Sequence, residues 1–188
     1  MLKKILIGVA ALIGVLAIVI ATRPSTFHVE RSITIQAPPS AAFAHVDDFH
    51  AWRAWSPWEK LDPTMQRTHA GAASGAGAQY AWQGNDEVGE GRMTIEKSEA
   101  PSLISIKLEF IKPFEATNTA TFAFNPAPEG TKVTWGMDGQ LNFVAKAAHL
   151  FMDMDSMVGK DFERGLAALK AVTESSAQSA KPTANTAQ

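Results

Sequence analysis

Two small groups of histidine and aspartate are the first residues in this chain whose spacing could support chemistry. His45, Asp48 and His50 lie within six residues, and His149 precedes Asp153 by four, the spacing of one helical face. Imidazole and carboxylate bind zinc and related metals, but such sites need three or four protein ligands. The first group is better explained as a solvated helix end, and the second lacks a third ligand. We therefore predict no metal and no cofactor.

Candidates for nucleophilic, phosphate and acid–base chemistry are also incomplete. Ser56 has no nucleophile-elbow context. The glycine-rich stretch 71–77 lacks the Lys-Ser/Thr of a phosphate loop, and we interpret it as a flexible turn at a cavity mouth. Acid–base catalysis needs a carboxyl whose pKa is shifted by burial. The carboxylates considered for that role are Glu87, Glu90, Glu96 and Glu109. The last two occupy outward strand positions, so no catalytic residue is predicted.

The most distinctive feature is a set of three tryptophans within seven residues, WRAWSPW at 52–58. Large aromatic side chains are costly to expose, so this segment forms either a packed core or the rim of a pocket for an apolar ligand. Both interpretations stay open from the sequence. The predicted ligand-binding residues are Trp52, Trp55, Trp58, Tyr80, Trp82, Phe110, Phe122, Trp135, Met154 and Phe162.

An antiparallel sheet must position most of these side chains. Between residues 80 and 137, apolar residues recur at alternate positions and the residues between them are mostly polar. This pattern predicts strands with one wet face. Short turn sequences at 84–86, 100–102 and 126–130 predict antiparallel neighbours. A first strand is predicted over 26–36, followed by a short helix capped by Ser40.

The C-terminal segment is the long helix that can cover this sheet. From Phe143 to Leu169, apolar residues recur every three or four positions, in one helix or in two with a break near residues 153–155. Gly159 and Gly165 inside this pattern each cost about 1 kcal/mol relative to alanine. Their presence indicates that the sheet or a ligand closely approaches the helix there.

The N-terminus contains an uncharged apolar run from Ile5 to Ala21, which spans roughly 26 Å as a helix. We favour a retained membrane anchor over a signal cleaved after Ala21. Lys3 and Lys4 precede the run and favour a cytoplasmic N-terminus. The remainder of the chain is then predicted to face the periplasm from the inner (plasma) membrane of a bacterium.

Composition divides the chain and limits its partners. We predict an anchor over 1–24, one domain over 25–174, and a disordered tail over 175–188, whose residues are mostly small or polar. The net charge of −2 and the pI near 6.2 argue against nucleic acid as a partner. Cysteine is absent, so thiol chemistry is excluded.

The order of these elements resembles a known superfamily. The motifs that carry the resemblance are WRAWSPW at 52–58, the glycine-rich turn at 71–78, YAWQGN at 80–85, VGEG at 88–91, GTKVTW at 130–135 and GKDFERGL at 159–166. The chain resembles the START-like (SRPBCC) superfamily, and within it the membrane-anchored bacterial polyketide cyclase/dehydrase and lipid-transport proteins. The resemblance implies an α+β helix-grip fold, in which a curved antiparallel sheet wraps around a long C-terminal helix. It also implies a cavity for hydrophobic small molecules or lipids, but it brings no catalytic motif.

We therefore favour a membrane-tethered binding module that holds a hydrophobic small molecule or lipid between the sheet and the final helix. Two alternatives stay open. One is an enzyme of cyclase or hydratase type that uses the same cavity. The other is an envelope protein-interaction module whose core is filled by side chains. The sequence names no protein partner.

Overall fold

One curved antiparallel sheet, with helices at its beginning and end, forms the domain. The computed structural model describes residues 1–148, 150 and 153–179. The helices are α1 (Leu2–Thr22), α2 (Pro39–Asp47), α3 (Phe143–Ala148) and α4 (Met154–Ser179), and two 3₁₀ helices span Phe49–Ala54 and Pro57–Lys60. The strands are β1 (Thr26–Ile35), β2 (Gln66–Gly71), β3 (Ala78–Gln83), β4 (Glu90–Glu99), β5 (Leu103–Lys112), β6 (Ala116–Ala127) and β7 (Gly130–Gln140). This is the predicted α+β helix-grip arrangement.

The sheet has seven strands in the order β1-β7-β6-β5-β4-β3-β2, and the neighbours are antiparallel. Alternate residues are buried along β6 and β7, as the period of two predicts. Strand β2 was not predicted, because it is an edge strand whose side chains are almost all exposed. Without a buried face it has no apolar alternation, which is the signal that reveals a strand in a sequence.

Helix α4 packs on the concave face of the sheet through its apolar stripe. Phe162, Leu166 and Leu169 are each at most 2% exposed. The two helical glycines are explained by close contacts with strand residues. A Cβ at Gly159 would overlap the guanidinium of Arg31, and one at Gly165 would lie 2.7 Å from Cζ3 of Trp135. The predicted close approach is confirmed, and it is made by side chains of the sheet.

The start of α2 and the end of α4 differ from the predictions, whereas the break in the C-terminal segment agrees with the two-helix alternative. Helix α2 begins at Pro39, whose fixed φ suits the first helical position, so Ser40 is not its cap. The C-terminal segment forms two helices, and the Asp153 carboxylate accepts hydrogen bonds from the Ser156 N–H and hydroxyl at the start of α4. Helix α4 continues to Ser179, past the predicted start of the tail at Ser175. Residues 180–188 of that tail lie outside the described residues.

Helix α1 is long and apolar enough to cross a bilayer, and a signal sequence near an N-terminus meets the same description. Its side chains are almost all exposed, so it does not belong to the core of the domain. The segment Arg23–Ser25 connects it to β1. The Ser25 carbonyl accepts a hydrogen bond from the Leu141 N–H at 2.7 Å, which joins this connection to the end of β7.

Candidate functional site

The tryptophan segment is fixed to the end of α2 by its own indole groups. Trp52 donates from Nε1 to the Val46 carbonyl at 2.9 Å, and Trp55 donates to the His45 carbonyl at 3.0 Å. The Asp48 carboxylate accepts from the His50 N–H and caps the first 3₁₀ helix. Both tryptophans are at most 3% exposed. These contacts hold the segment as a rigid wall of the space between sheet and α4.

A cavity of about 220 Å³ lies between this wall, the sheet and the first half of α4. The structure brings seven of the predicted residues together around it. They are Trp52, Trp58, Tyr80, Trp82, Phe110, Trp135 and Phe162. The other lining residues are Ser56, Glu59, Met65, Glu87, Val88, Met93, Leu108, Ala120, Met137, Val158 and Asp161. Most of this wall is apolar or aromatic, which is typical of sites for small hydrophobic molecules.

Trp135 lies at the centre of the aromatic wall. Its ring stacks on Phe162 with centroids 4.1 Å apart and on Phe122 with centroids 4.8 Å apart, and the Trp58 ring lies nearly perpendicular to it with centroids 5.6 Å apart. Nε1 of Trp135 is buried, and within the described part of the chain it has no hydrogen-bond partner. Nε1 is at the opposite side of the indole from Cζ3, the atom that faces Gly165. A buried donor without a partner is costly, so this N–H is a polar feature of the wall that the packing of the described residues leaves unexplained.

A polar cluster stands at another part of the cavity wall. The Tyr80 hydroxyl donates to Glu59 Oε1 at 2.5 Å, and Arg67 Nε donates to Glu59 Oε2 at 2.7 Å. The Glu59 side chain is only 6% exposed. Burial, together with the hydrogen bond to Glu59, raises the pKa of Tyr80 well above its usual range. Tyr80 is therefore a protonated phenol, and both carboxylate oxygens of Glu59 already accept hydrogen bonds.

The connection between β3 and β4 forms part of the cavity wall and is held by Asp62. The carboxylate of Asp62 accepts hydrogen bonds from the Thr64 hydroxyl and N–H and from the Asn85 N–H. These bonds, that of the Thr64 hydroxyl above all, hold the pKa of Asp62 below its usual range. This connection carries Glu87 and Val88 into the wall.

Two of the predicted ligand-binding residues that the structure describes do not line the cavity. Trp55 is 2% exposed and Phe122 is fully buried, and both belong to the packed core. The centroids of the Trp55 and Phe122 rings lie 6.0 Å apart, and both rings pack against Trp135. Met154 is the first residue of α4, and its side chain lies outside the described residues.

Two other predictions fall elsewhere in the fold. The glycine-rich turn is held by hydrogen bonds from the Gly75 N–H to the Asp47 carbonyl and from the Gly77 N–H to the Ile95 carbonyl, and it does not line this cavity. His50 and Asp48 form a local hydrogen bond at 2.8 Å. Among the residues that the structure describes, no group of three His, Cys, Asp or Glu could hold a metal ion. His149 lies outside those residues.

Several lining residues were missed from the sequence. Leu108, Met93 and Met137 belong to the inward stripe of the strands, so alternation could have identified them. Val158 precedes Phe162 by four residues and Asp161 by three, so helical spacing could have found both. No pattern identified Glu59, because it lies in the second 3₁₀ helix, which is too short to show a periodicity.

A second, more open hollow of about 390 Å³ lies where α1 meets the domain. Its walls come from the connection after α1, from β1 and from α3. The residues around it are Arg23, Pro24, Thr26, Phe27, Leu141, Lys146 and Leu150. It shares no residue with the aromatic cavity and is separate from it.

A family model described as polyketide cyclase / dehydrase and lipid transport matches residues 26–174. Among curated proteins, none matches the chain.

Solved structures share the fold at low identity. Protein CV1439 from Chromobacterium violaceum is 14% identical with a TM-score of 0.55, over 80% of this chain and 99% of its own. SA2116 from Staphylococcus aureus, described as a protein of unknown function, is 12% identical with a TM-score of 0.59, over 81% of this chain and 96% of its own. The di-domain ARO/CYC BexL from the BE-7585A biosynthetic pathway is 18% identical with a TM-score of 0.59, over 88% of this chain and 54% of its own.

Proposed function

The chain belongs to the polyketide cyclase/dehydrase and lipid transport family, and we propose that it is a membrane-tethered binding protein for a hydrophobic small molecule or lipid. The observation that carries this proposal is the aromatic cavity, whose wall includes Trp135 with an N–H that has no partner in the part of the chain that the structure describes. Such a site favours a ligand with an apolar body and one hydrogen-bond acceptor, for example a carbonyl oxygen. The residues proposed to contact it are Trp52, Trp58, Tyr80, Trp82, Phe110, Trp135 and Phe162.

The size of the cavity restricts the ligand further. Its volume of about 220 Å³ is below the roughly 300–1,000 Å³ typical of pockets that enclose a drug-sized molecule. A slender apolar segment fits, such as part of an acyl or polyketide chain, and the rest of a larger amphiphile would remain outside the cavity. The presence of this space also argues against the alternative of an interaction module with a filled core.

The proposed tether is α1. With Lys3 and Lys4 on the cytoplasmic side, the domain would face the periplasm from the inner membrane. Keeping a small apolar pocket beside the bilayer raises the local concentration of lipophilic ligands without any additional contact.

An enzyme of cyclase type is the second candidate, and Tyr80 with Glu59 is the observation that favours it. A protonated phenol beside a carboxylate, both in the cavity wall, could donate a proton to a substrate carbonyl. Binding is preferred because both oxygens of Glu59 already accept a hydrogen bond, one from Tyr80 and one from Arg67, and these charge-assisted bonds make the carboxylate a weaker base. BexL, described as an ARO/CYC protein, shares the fold alone at 18% identity.

The test is native mass spectrometry of the full-length protein purified from membranes in mild detergent. Ala120→Phe places a large side chain into the cavity from the inward face of β6, so we expect the bound small molecule to be lost. Ala123→Phe makes the same change on the outward face of the same strand and should retain it. The proposal fails if the wild-type protein is empty, or if both variants retain the ligand equally while remaining folded.

A further inference from the structure

Four large apolar side chains are exposed near one end of the domain. Ile111, near the end of β5, is 46% exposed, and Phe114, in the connection between β5 and β6, is 79% exposed. Phe143 and Val144, in α3, are 53% and 71% exposed. We name these four residues the apolar tip. Large exposed apolar groups that lie together usually mark a surface that contacts a protein or a membrane.

The strand register places the apolar tip at a single end of the sheet. Phe110 pairs with Ala116, and Asn118 pairs with Gly139 across β6 and β7. The connection between β5 and β6 and the start of α3 therefore lie at the same end. Neighbouring strands are about 4.8 Å apart, so only two strand spacings separate β5 from β7.

Helix α1 joins the domain at this same end. Thr26, the first residue of β1, pairs with Gln140, the last of β7. The connection Arg23–Ser25 has three residues, and at no more than about 3.6 Å per residue it reaches about 10 Å. With α1 in the bilayer, as in the proposed function, the apolar tip is held near the membrane surface.

Part of the wall of the aromatic cavity lies at this end as well. Glu87 and Val88, in the connection between β3 and β4, both line the cavity. Glu87 is exposed and Val88 is half-buried. Lys112, next to the apolar tip, pairs with Glu90, which begins β4 directly after that connection. Val158, near the start of α4, completes this side of the wall. The buried lining residues, such as Trp135, lie deeper in the domain.

We propose that the apolar tip inserts into the lipid bilayer, so that the cavity takes up its ligand from the membrane without passage through water. The inference rests on the proposed function, because it needs α1 as an anchor and an apolar ligand. The part of a long amphiphile that the cavity cannot enclose would remain among the lipids. Insertion of apolar side chains at the level of the headgroups is how interfacial segments bind membranes.

Charge at this end favours apolar insertion over attraction to anionic lipid. Basic and acidic side chains are mixed there: Arg23, Lys112 and Lys146 lie among Asp86, Glu87, Glu90 and Glu115. Lys112 is neutralised by an ion pair with Glu90 at 2.7 Å. Recognition of anionic headgroups needs a cluster of basic residues. The basic residues described at this end are interspersed with acidic ones and do not form such a cluster. The bilayer contact should therefore form on neutral phosphatidylcholine.

The experiment uses the absence of cysteine from the natural sequence. Single variants Phe114→Cys and Val144→Cys, and Glu129→Cys as control, are labelled with an environment-sensitive fluorophore in the full-length protein. Glu129 is exposed in the turn between β6 and β7, at the opposite end of the sheet. Each protein is reconstituted into phosphatidylcholine vesicles with or without nitroxide-labelled lipid. We expect the two probes at the apolar tip to lose at least about half of their fluorescence to the nitroxide, and the control probe to lose almost none.

The outcomes separate this inference from the proposed function, because the same preparations are examined by native mass spectrometry. Unquenched probes at both tip positions, with ligand still bound, would overturn docking and leave the binding function intact. Quenched tip probes with an empty cavity would support docking and refute the binding function. Equal quenching at Glu129 would also overturn the proposal, because the domain would then lie on the membrane in another orientation.

Discussion

The two halves of α4 present the same apolar periodicity to very different surroundings. The C-terminal half buries Leu166 and Leu169 completely, and there α2 fills the space beside the sheet with Ala42, Phe43 and Val46. Beside the N-terminal half, the place that α2 takes farther along is occupied by the short second 3₁₀ helix, and the aromatic cavity lies there. The apolar stripe of α4 is similar in both halves, but the neighbouring element is the helix α2 in one half and a short 3₁₀ helix in the other. The length of that neighbouring element, more than the composition of the stripe, therefore decides whether apolar residues form a core or a pocket.

A matched pair of leucines tests this contrast with the largest expected effect. Leu169→Ala removes a fully buried side chain from the filled half and should lower the free energy of unfolding by about 2–5 kcal/mol. Leu108 is half-buried and borders the cavity, so Leu108→Ala should cost clearly less, about 2 kcal/mol or below. Denaturant titration of both variants measures the difference. Equal costs would mean that the cavity half is packed as tightly as the core.

A matched pair of tryptophans sharpens the contrast at the level of one hydrogen bond. Trp52→Phe leaves the Val46 carbonyl without its indole donor and should destabilise the fold by about 1–3 kcal/mol. Trp135→Phe removes a donor that has no partner among the described residues, so the free energy of unfolding should change by about 1 kcal/mol or less.

The same Trp135→Phe variant should reveal the acceptor on the ligand. Its affinity for a long-chain ketone should fall about tenfold, which is roughly 1.4 kcal/mol, while affinity for the alkane of equal length stays nearly constant. Competition against the natural ligand in native mass spectra measures both affinities. An equal loss for ketone and alkane would show that the indole contributes only apolar contact.

The smallest expected effect concerns pH and the cavity wall. Because hydrogen bonds hold the pKa of folded Asp62 below the ordinary value of 3.8, the ionised carboxylate stabilises the fold above that pH. This contribution is lost as the pH falls through the lower pKa of the folded state. Asp62→Asn should therefore flatten the decline of stability between about pH 5 and pH 3. Asp86→Asn, an exposed change on the same connection, serves as control and should leave the decline unchanged.

Sequence patterns predicted the fold well because one-sided burial creates a period that can be read directly. The strands β3–β7 and α4 follow such periods, whereas the exposed edge strand β2 has none and was missed. The site was predicted less completely. Trp55 and Phe122 have the same residue types as the lining aromatics, but they lie one layer deeper. Residue type and spacing predict which face of a strand or helix is apolar. Whether an aromatic side chain lies at the cavity surface or one layer deeper depends on the arrangement of the two 3₁₀ helices.

The short connection between α1 and β1 also limits how the protein could take part in transport. A binding protein that carries a ligand across the periplasm must diffuse away from the inner membrane. The three-residue connection allows this domain to move no further than its own diameter from α1. If α1 is retained in the inner membrane, as proposed, the domain stays at the membrane surface and can diffuse only laterally, in two dimensions. Delivery of a ligand to a distant acceptor would then require a mobile carrier or an enzyme that comes to the membrane to collect it.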